Sequence, residues 1–179
     1  MPNINQQEAY NGHKRVHALK WQFVATPDGM LFLSCPFDGR RHNAHMVIET
    51  ELVRWAERHA KGEEGQQRYL YGNQVYGVSP AIISLWKGNL VDRNQELMNH
   101  VLSKYRTTVE WGIGMVSMQW PRFWDKQYQR TRLTLCGHDW MVATLLWNAK
   151  TCLVGNQIGM AMGCSPPLLE NYFSSRRVI

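Results

Sequence analysis

The chain has 179 residues, which is enough for one domain with a hydrophobic core. Hydrophobic residues make up 44% of it and include eight Trp, a composition that excludes an intrinsically disordered chain. The formal net charge of +6 and the pI of about 9.3 fit a polyanionic partner such as nucleic acid without requiring one.

The chain shows no sign of export or of a membrane span. Its start, MPNINQQEAYNGHKRV, is polar and lacks the apolar core of a signal peptide, and no stretch reaches about 18 apolar residues. The cysteines form no C-x-x-C pair and stand beside no histidine at zinc-ligand spacing, so we expect free thiols in a reducing compartment at Cys35, Cys136, Cys152 and Cys164. These features predict a nuclear or cytoplasmic protein that is not secreted.

The N-terminal part predicts a β-hairpin followed by a helix. Residues 13–25 are rich in β-formers, TPDG at 26–29 is a turn signal, and residues 30–35 (MLFLSC) form a second apolar strand. The continuous apolar character of that strand predicts that both of its faces are covered. Over residues 44–59 the apolar side chains recur on one helical face, and Asn43 is a suitable N-cap.

The middle of the chain predicts a strand and two helices. A short strand at residues 68–71 is followed by Ser79-Pro80, which we interpret as the N-cap and first residue of a short helix. DRNQ at 92–95 resembles a capping box and opens a long helix, which Trp120-Pro121 should end.

The C-terminal part predicts a further apolar helix over residues 140–153 and, over residues 165–179, a loop with one helical turn. The complete order is then strand, strand, helix, strand, helix, long helix, helix. This order predicts an α/β layered domain that is mixed rather than strictly alternating.

Two positions are candidates for catalysis. Asn73 follows an apolar strand in LYGNQVYG, at the place where many α/β enzymes carry a catalytic carboxylate. Glu110 lies among apolar and small residues of the long helix, with Arg106 one turn before it. The alternative for Glu110 is an exposed helix residue that pairs with Arg106 and has no other role.

The basic loop GRRHN at 39–43 is a third candidate. Arg40 and Arg41 either grip phosphate as planar donors or form an ordinary solvated pair. His42 stands near a predicted helix N-terminus, where it either contacts nucleic acid or has no function.

Five segments in this order resemble the nuclease domain of PIF/Harbinger-type transposases, which transposable elements encode. They are YNGHKRVHALKWQFVATPDGM, GRRHNAHM, LYGNQVYG, MNHVLSKYRTTVEWGIG and LLWNAKTCLVGNQ, and the likeness extends over residues 6–173. The resemblance implies a single DDE endonuclease domain over residues 1–179, with an RNase H-like mixed sheet and flanking helices. It also implies metal-dependent cleavage and strand transfer of DNA.

The resemblance carries over the catalytic triad only in part. Glu110 matches the V-E motif of the last acid, whereas GNQVY at 72–76 has Asn73 in place of the middle Asp of G-D-x-x-Y. Asn43 likewise replaces the Asp of the family's H-D pair. In the family the first acid lies upstream of Y-N-G-H-K, and no Asp matches it here. We therefore expect a truncated domain that lacks the first strand of the sheet.

The family's triad implies two Mg²⁺ or Mn²⁺ ions, about 3.5–4 Å apart, that activate the nucleophile and neutralise the leaving oxygen. Glu110 and Asn73 are the implied ligands. Because an amide oxygen carries no charge, we expect weakened metal binding and little or no strand cleavage. The missing first strand would leave an unpaired sheet edge near His13 and favour self-association.

The implied partner is DNA, and basic side chains are the candidates for phosphate contact. They are Lys14, Arg15, Arg40, Arg41, Arg122, Lys126, Arg130 and Arg132, together with His42. Two alternatives stay open beside an impaired nuclease. One is a catalytically inactive remnant that binds DNA or a partner protein, and the other is a translated genomic relic without a selected function.

Overall fold

The computed structural model describes residues 6–86, 88, 92–125, 128–129 and 135–174. The chain forms two compact units. The first unit comprises Met1–Val16 and Phe37–Thr107, and the second comprises His17–Pro36 and Thr108–Ile179. The single domain expected over residues 1–179 stays a prediction.

Helices account for about half of the chain, and the strands are only two or three residues long. In chain order the elements are α1 (Gln6–Ala9), β1 (Tyr10–Asn11), β2 (Val16–His17), β3 (Leu19–Lys20), β4 (Phe23–Ala25), β5 (Leu31–Leu33), β6 (Phe37–Asp38), α2 (Asn43–Glu49), α3 (Leu52–His59), β7 (Leu70–Tyr71), β8 (Ile82–Ile83), α4 (Arg93–Gln119), α5 (Cys136–Val154), α6 (Gln157–Met162) and α7 (Leu169–Ser174). The mixed α/β class is confirmed, whereas the RNase H-like arrangement and the absence of its first strand stay predictions. Among the described helices, none combines the length and the apolarity that a membrane span requires.

The predicted hairpin is confirmed in the second unit, where β4 and β5 pair antiparallel with Ala25 opposite Leu31. The first predicted strand is divided into β2, β3 and β4. The prediction that both faces of the second strand are covered is wrong, since Leu31 is 1% exposed and Phe32 is 43% exposed. Successive side chains of a strand point to opposite faces, and here only one face meets the core.

The core of the second unit lies between β5, α4 and α5. Leu31, Val116, Ala143 and Trp147 form one buried cluster. At Gly112, α4 comes so near to β5 that an added Cβ would lie 2.9 Å from Leu31 Cδ2. A glycine at this position therefore allows the close contact between helix and strand.

Two asparagines join the hairpin to the helices of the second unit. Asn148 is 2% exposed, and its Oδ1 accepts a hydrogen bond from the Leu31 N–H at 2.9 Å. Its Nδ2 donates to the Leu31 carbonyl at 2.7 Å and to the Tyr172 hydroxyl at 3.1 Å. Asn156 caps α6 with its Oδ1, which accepts from two N–H groups of that helix, and its Nδ2 donates to the Gly29 carbonyl at 2.9 Å.

In the first unit, the helix predicted over residues 44–59 is two helices. Glu51, between α2 and α3, has a φ of 51°, in the left-handed region, which interrupts the regular helix. The N-cap of α2 is His42 rather than Asn43, because the His42 Nδ1 accepts a hydrogen bond from the Ala44 N–H at 3.3 Å. Hydrophobic periodicity locates a helix end only to within one or two residues.

The short helix predicted after Ser79-Pro80 is wrong. Ile82 and Ile83 form β8, which pairs parallel with the predicted short strand β7 and sets Leu70 opposite Ile82. Two adjacent β-branched residues favour an extended strand over a helical turn, and the pairing with a distant strand decides between the two.

The capping box and the long helix are confirmed. Asp92 Oδ1 accepts from the Gln95 N–H at 2.8 Å, and Gln95 Oε1 accepts from the Asp92 N–H at 3.2 Å. α4 continues to Gln119, directly before Trp120-Pro121. The predicted helix over residues 140–153 is also confirmed as part of α5, and the predicted helical turn of the tail is α7. Residues 175–179 lie outside the described part of the chain.

Candidate active site

Asn73 lies two residues past the carboxyl end of β7 and is exposed. The parallel strand β8 holds this end, because the Gly72 N–H donates to the Ile83 carbonyl at 2.9 Å. The chain then makes a tight turn in which the Tyr76 N–H donates to the Asn73 carbonyl at 2.9 Å. The side chain at position 73 is therefore exposed to solvent, and the backbone is fixed by hydrogen bonds both before this residue, at Gly72, and after it, at Tyr76.

Gly72 and Tyr76 form a contact that explains the spacing of the motif around Asn73. A Cβ on Gly72 would lie 2.7 Å from Tyr76 Cδ2 and 3.2 Å from Ile82 Cγ2, so the tyrosine ring occupies the space that any other residue would need. Burial of Tyr76 raises the pKa of its hydroxyl above the ordinary 10.0. Sequence reasoning missed this positioning role, although the Gly-x-x-x-Tyr spacing was the available signal.

The positive charge of Arg106 acts on Tyr71, the last residue of β7, and both residues belong to the first unit. Burial raises the pKa of its hydroxyl, and the positive charge of Arg106 lowers it in part. The Tyr71 Oη is buried and has no hydrogen-bond partner in the described structure. Arg106 is therefore an electrostatic neighbour of the strand that presents Asn73.

Glu110 lies on the exposed side of α4, one helical turn after Arg106. Both residues take part in interactions, and the pairing of their side chains with each other stays a prediction. Two residues later, Gly112 anchors the same helix against β5. Glu110 belongs to the second unit and Asn73 to the first, so the convergence of these two side chains stays a prediction as well.

The basic loop contributes to local structure in the first unit. Arg41 Nε lies 3.2 Å from Glu49 Oε1, and His42 caps α2. Asn43, the first residue of α2, is half-buried, whereas Arg40 is exposed. The side chains of Arg40, Arg41 and His42 all reach the surface, which leaves them accessible to a ligand.

Comparison with protein families matches residues 1–148, most of the chain, to the DDE superfamily endonucleases. The chain belongs to the DDE superfamily endonucleases. No match was found among curated proteins or among solved structures. Membership confirms the coarser part of the resemblance, a transposase-type nuclease domain with DNA as the implied substrate.

Members of the DDE superfamily usually use divalent metal ions, and the amide of Asn73 does not supply the negative charge of the carboxylate that such a site has at this position. Over the residues that the structure describes, no group of three or more His, Cys, Asp or Glu side chains could hold a metal ion. Asn73 offers a neutral amide oxygen and two N–H donors. This set of donors lacks the negative charge that a pair of divalent cations needs.

The other basic residues expected to contact DNA in this DDE superfamily member lie in both units. Lys14 and Arg15 are exposed in the first unit. In the second unit, Arg122 Nε lies 2.8 Å from Asp139 Oδ2, and its guanidinium stacks 4.6 Å from the Tyr128 ring centroid. Three further candidates, Lys126, Arg130 and Arg132, lie outside the described residues.

Proposed function

We propose that the chain is a PIF/Harbinger-type transposase nuclease domain with an RNase H-like core, in which metal-dependent cleavage and strand transfer of DNA are impaired. The observation that carries the proposal is an exposed amide, Asn73, at the end of β7, where the family's G-D-x-x-Y motif has a carboxylate. The contact between Gly72 and Tyr76 supports the match to the G-D-x-x-Y motif, because it explains why the motif has a glycine and a tyrosine at these two positions.

The loss of one carboxylate is large on the scale of a metal site. Opposite unit charges about 4 Å apart attract by roughly 4 kcal/mol at an effective dielectric constant of about 20. An Asn at position 73 removes this attraction, because its amide oxygen is neutral and its NH₂ group is a donor that cannot ligate a cation. We infer that Glu110, with Arg106 one turn away on α4, is the acid that remains.

Restoring the carboxylate tests the proposal. We expect Asn73→Asp to bind Mn²⁺ at least about tenfold more tightly than the unchanged chain in isothermal titration calorimetry, equivalent to about 1.4 kcal/mol. The same variant should nick supercoiled plasmid DNA in the presence of Mn²⁺, whereas Asn43→Asp tests the second Asp-to-Asn replacement. Asn94→Asp is the matched control, because Asn94 is an exposed residue of α4 outside the motif.

Glu110→Gln in the Asn73→Asp background tests the other half of the site. This second change should remove the gained Mn²⁺ affinity, and a gain that persists would exclude Glu110 as a ligand. Micromolar binding of two Mn²⁺ ions by the unchanged chain, or nicking as fast as that of Asn73→Asp, would contradict the impaired-nuclease reading.

A second candidate function, DNA binding without cleavage, is favoured by the net charge of +6 and by the exposure of Lys14, Arg15 and Arg40. Binding through phosphates weakens linearly on a log–log plot against salt concentration. Arg40→Ala should reduce the slope of that plot by about 1, whereas a contact that does not involve phosphate leaves the slope unchanged. Fluorescence anisotropy with a labelled DNA duplex measures the binding affinity at each salt concentration and so gives the slope.

A further inference from the structure

Helix α5 has an apolar stripe on its exposed side. The stripe consists of Met141 (48% exposed), Val142 (53%), Leu145 (45%), Leu146 (49%) and Leu153 (67%), with the small residue Ala149 at its centre. At about 100° per residue these side chains fall within a sector of roughly 140°. The opposite side of the helix is buried in the second unit, so the stripe is a separate surface and not part of the core.

The chemistry of this α5 stripe limits its partner. The segment from Met141 to Ala149 carries no charge, and Lys150 at the border of the stripe is the one charged residue between Met141 and Leu153, so the stripe itself offers little to a phosphate backbone. A helix that lies in a membrane interface needs a charged polar face, but the face of α5 opposite the stripe is buried and contains Ala143 and Trp147. Contiguous apolar patches larger than a few hundred Å² mark interaction sites on protein surfaces, and here the chemistry fits another apolar surface.

We propose that the α5 stripe binds the same stripe of a second copy of this chain. Complete burial of the exposed fractions would remove roughly 500 Å² per copy and roughly 1,000 Å² for the pair from water, which is the size of a weak, transient interface. Two-fold pairing of one patch with itself is the commonest arrangement of oligomers. The one charged residue from Met141 to Leu153 is Lys150, at the border of the stripe, and its flexible side chain can extend into water when two basic chains meet.

Ala149 gives the pairing a defined centre. Packed helices approach to 8–10 Å between their axes, and a small side chain at the crossing point favours the shorter distance. The leucines at 145, 146 and 153 then surround this point in each copy. The self-association inferred here therefore uses a helix surface, unlike the association through a sheet edge expected from the sequence.

Sedimentation equilibrium of the full chain tests the proposal over about 1 to about 200 µM, the range in which a small interface gives a weak dimer. We expect a monomer–dimer equilibrium that Leu145→Glu or Leu146→Glu weakens at least about tenfold. Met160→Glu is the matched control, because Met160 is 74% exposed on α6 and lies outside the stripe. Leu146→Gln is a milder second variant, and circular dichroism and thermal unfolding show that each variant is folded.

A cross-link identifies the contact directly. In a Cys35→Ser/Cys164→Ser background, which removes the two exposed thiols, Ala149→Cys should form a disulfide-linked dimer on mild oxidation. Met160→Cys and the background without a new cysteine should remain monomeric on a non-reducing gel. A chain that stays monomeric at every concentration, a dimer that survives Leu146→Glu, or equal cross-linking at positions 149 and 160 would each overturn the proposal.

Discussion

Gly112 and Gly114 lie on the same helix, α4, but only Gly112 faces a packed core. A methyl group at position 112 would lie 2.9 Å from Leu31 Cδ2 and 3.5 Å from Ile158 Cδ1, whereas one at position 114 would meet nothing within 4 Å. Gly→Ala in a helix gains about 0.8–1.0 kcal/mol from helix propensity. Overpacking a core costs about 1–3 kcal/mol, and Leu31, at 1% exposure, has little room to move.

The two substitutions should therefore act in opposite directions. We expect Gly114→Ala to stabilise the chain by about 1 kcal/mol and Gly112→Ala to destabilise it by up to about 2 kcal/mol. The difference between the two variants, about 1–3 kcal/mol, isolates the overpacking, and at about 2–4 °C per kcal/mol it separates the two melting temperatures by roughly 2–12 °C. Urea unfolding measures the free energy of unfolding of each variant, and thermal unfolding measures its melting temperature. Equal stabilities within about 0.5 kcal/mol would refute the close contact between α4 and β5.

Two further predictions concern a buried amide and a buried phenol. Asn148→Ala removes three hydrogen bonds and leaves the Leu31 N–H and carbonyl unpaired, so the free energy of unfolding measured in urea should fall by about 3–5 kcal/mol. Asn94→Ala, on the exposed side of α4, is the control and should change that free energy little. Similar losses for the two variants would contradict the role of Asn148 as a buried hydrogen-bonding partner. Burial raises the pKa of Tyr76 above 10.0, so the stability it contributes is complete below pH 10.0 and is lost as pH rises through the higher folded-state pKa. Tyr76→Phe should make unfolding free energies measured between about pH 8 and about pH 11 fall less steeply, and an unchanged slope would argue against the buried phenol.

Local signals in the sequence predicted the parts of the fold that local interactions decide. The capping box at Asp92 and Gln95 forms because both partners lie within one helical turn. The turn between β4 and β5, and the end of α4 before Trp120-Pro121, likewise follow from a few neighbouring residues. The position of Asn73 at the end of β7 belongs to the same class, because the apolar strand and the glycine are adjacent to it.

Interactions between distant residues decided the rest. Ser79-Pro80 is a good helix start, but β8 forms because Ile82 and Ile83 can pair with β7, and no local pattern reveals that pairing. The packing of the Tyr76 ring against Gly72 depends on the turn between them, and the contact of Gly112 with Leu31 joins residues far apart in the chain. The resemblance to the transposase family implied a shared metal site for Asn73 and Glu110, and the convergence of these two side chains stays a prediction.

The side-chain amide of Asn148 hydrogen-bonds both the N–H and the carbonyl of Leu31. It thus replaces the peptide group of an adjoining strand, which would supply the same donor and acceptor. The outer edge of β5 is thus sealed at Leu31 by a residue from a helix. Bare strand edges are templates on which foreign chains polymerise into fibrils. We therefore expect Asn148 to act as a gatekeeper against such growth, and its loss to cost solubility during folding as well as stability afterwards.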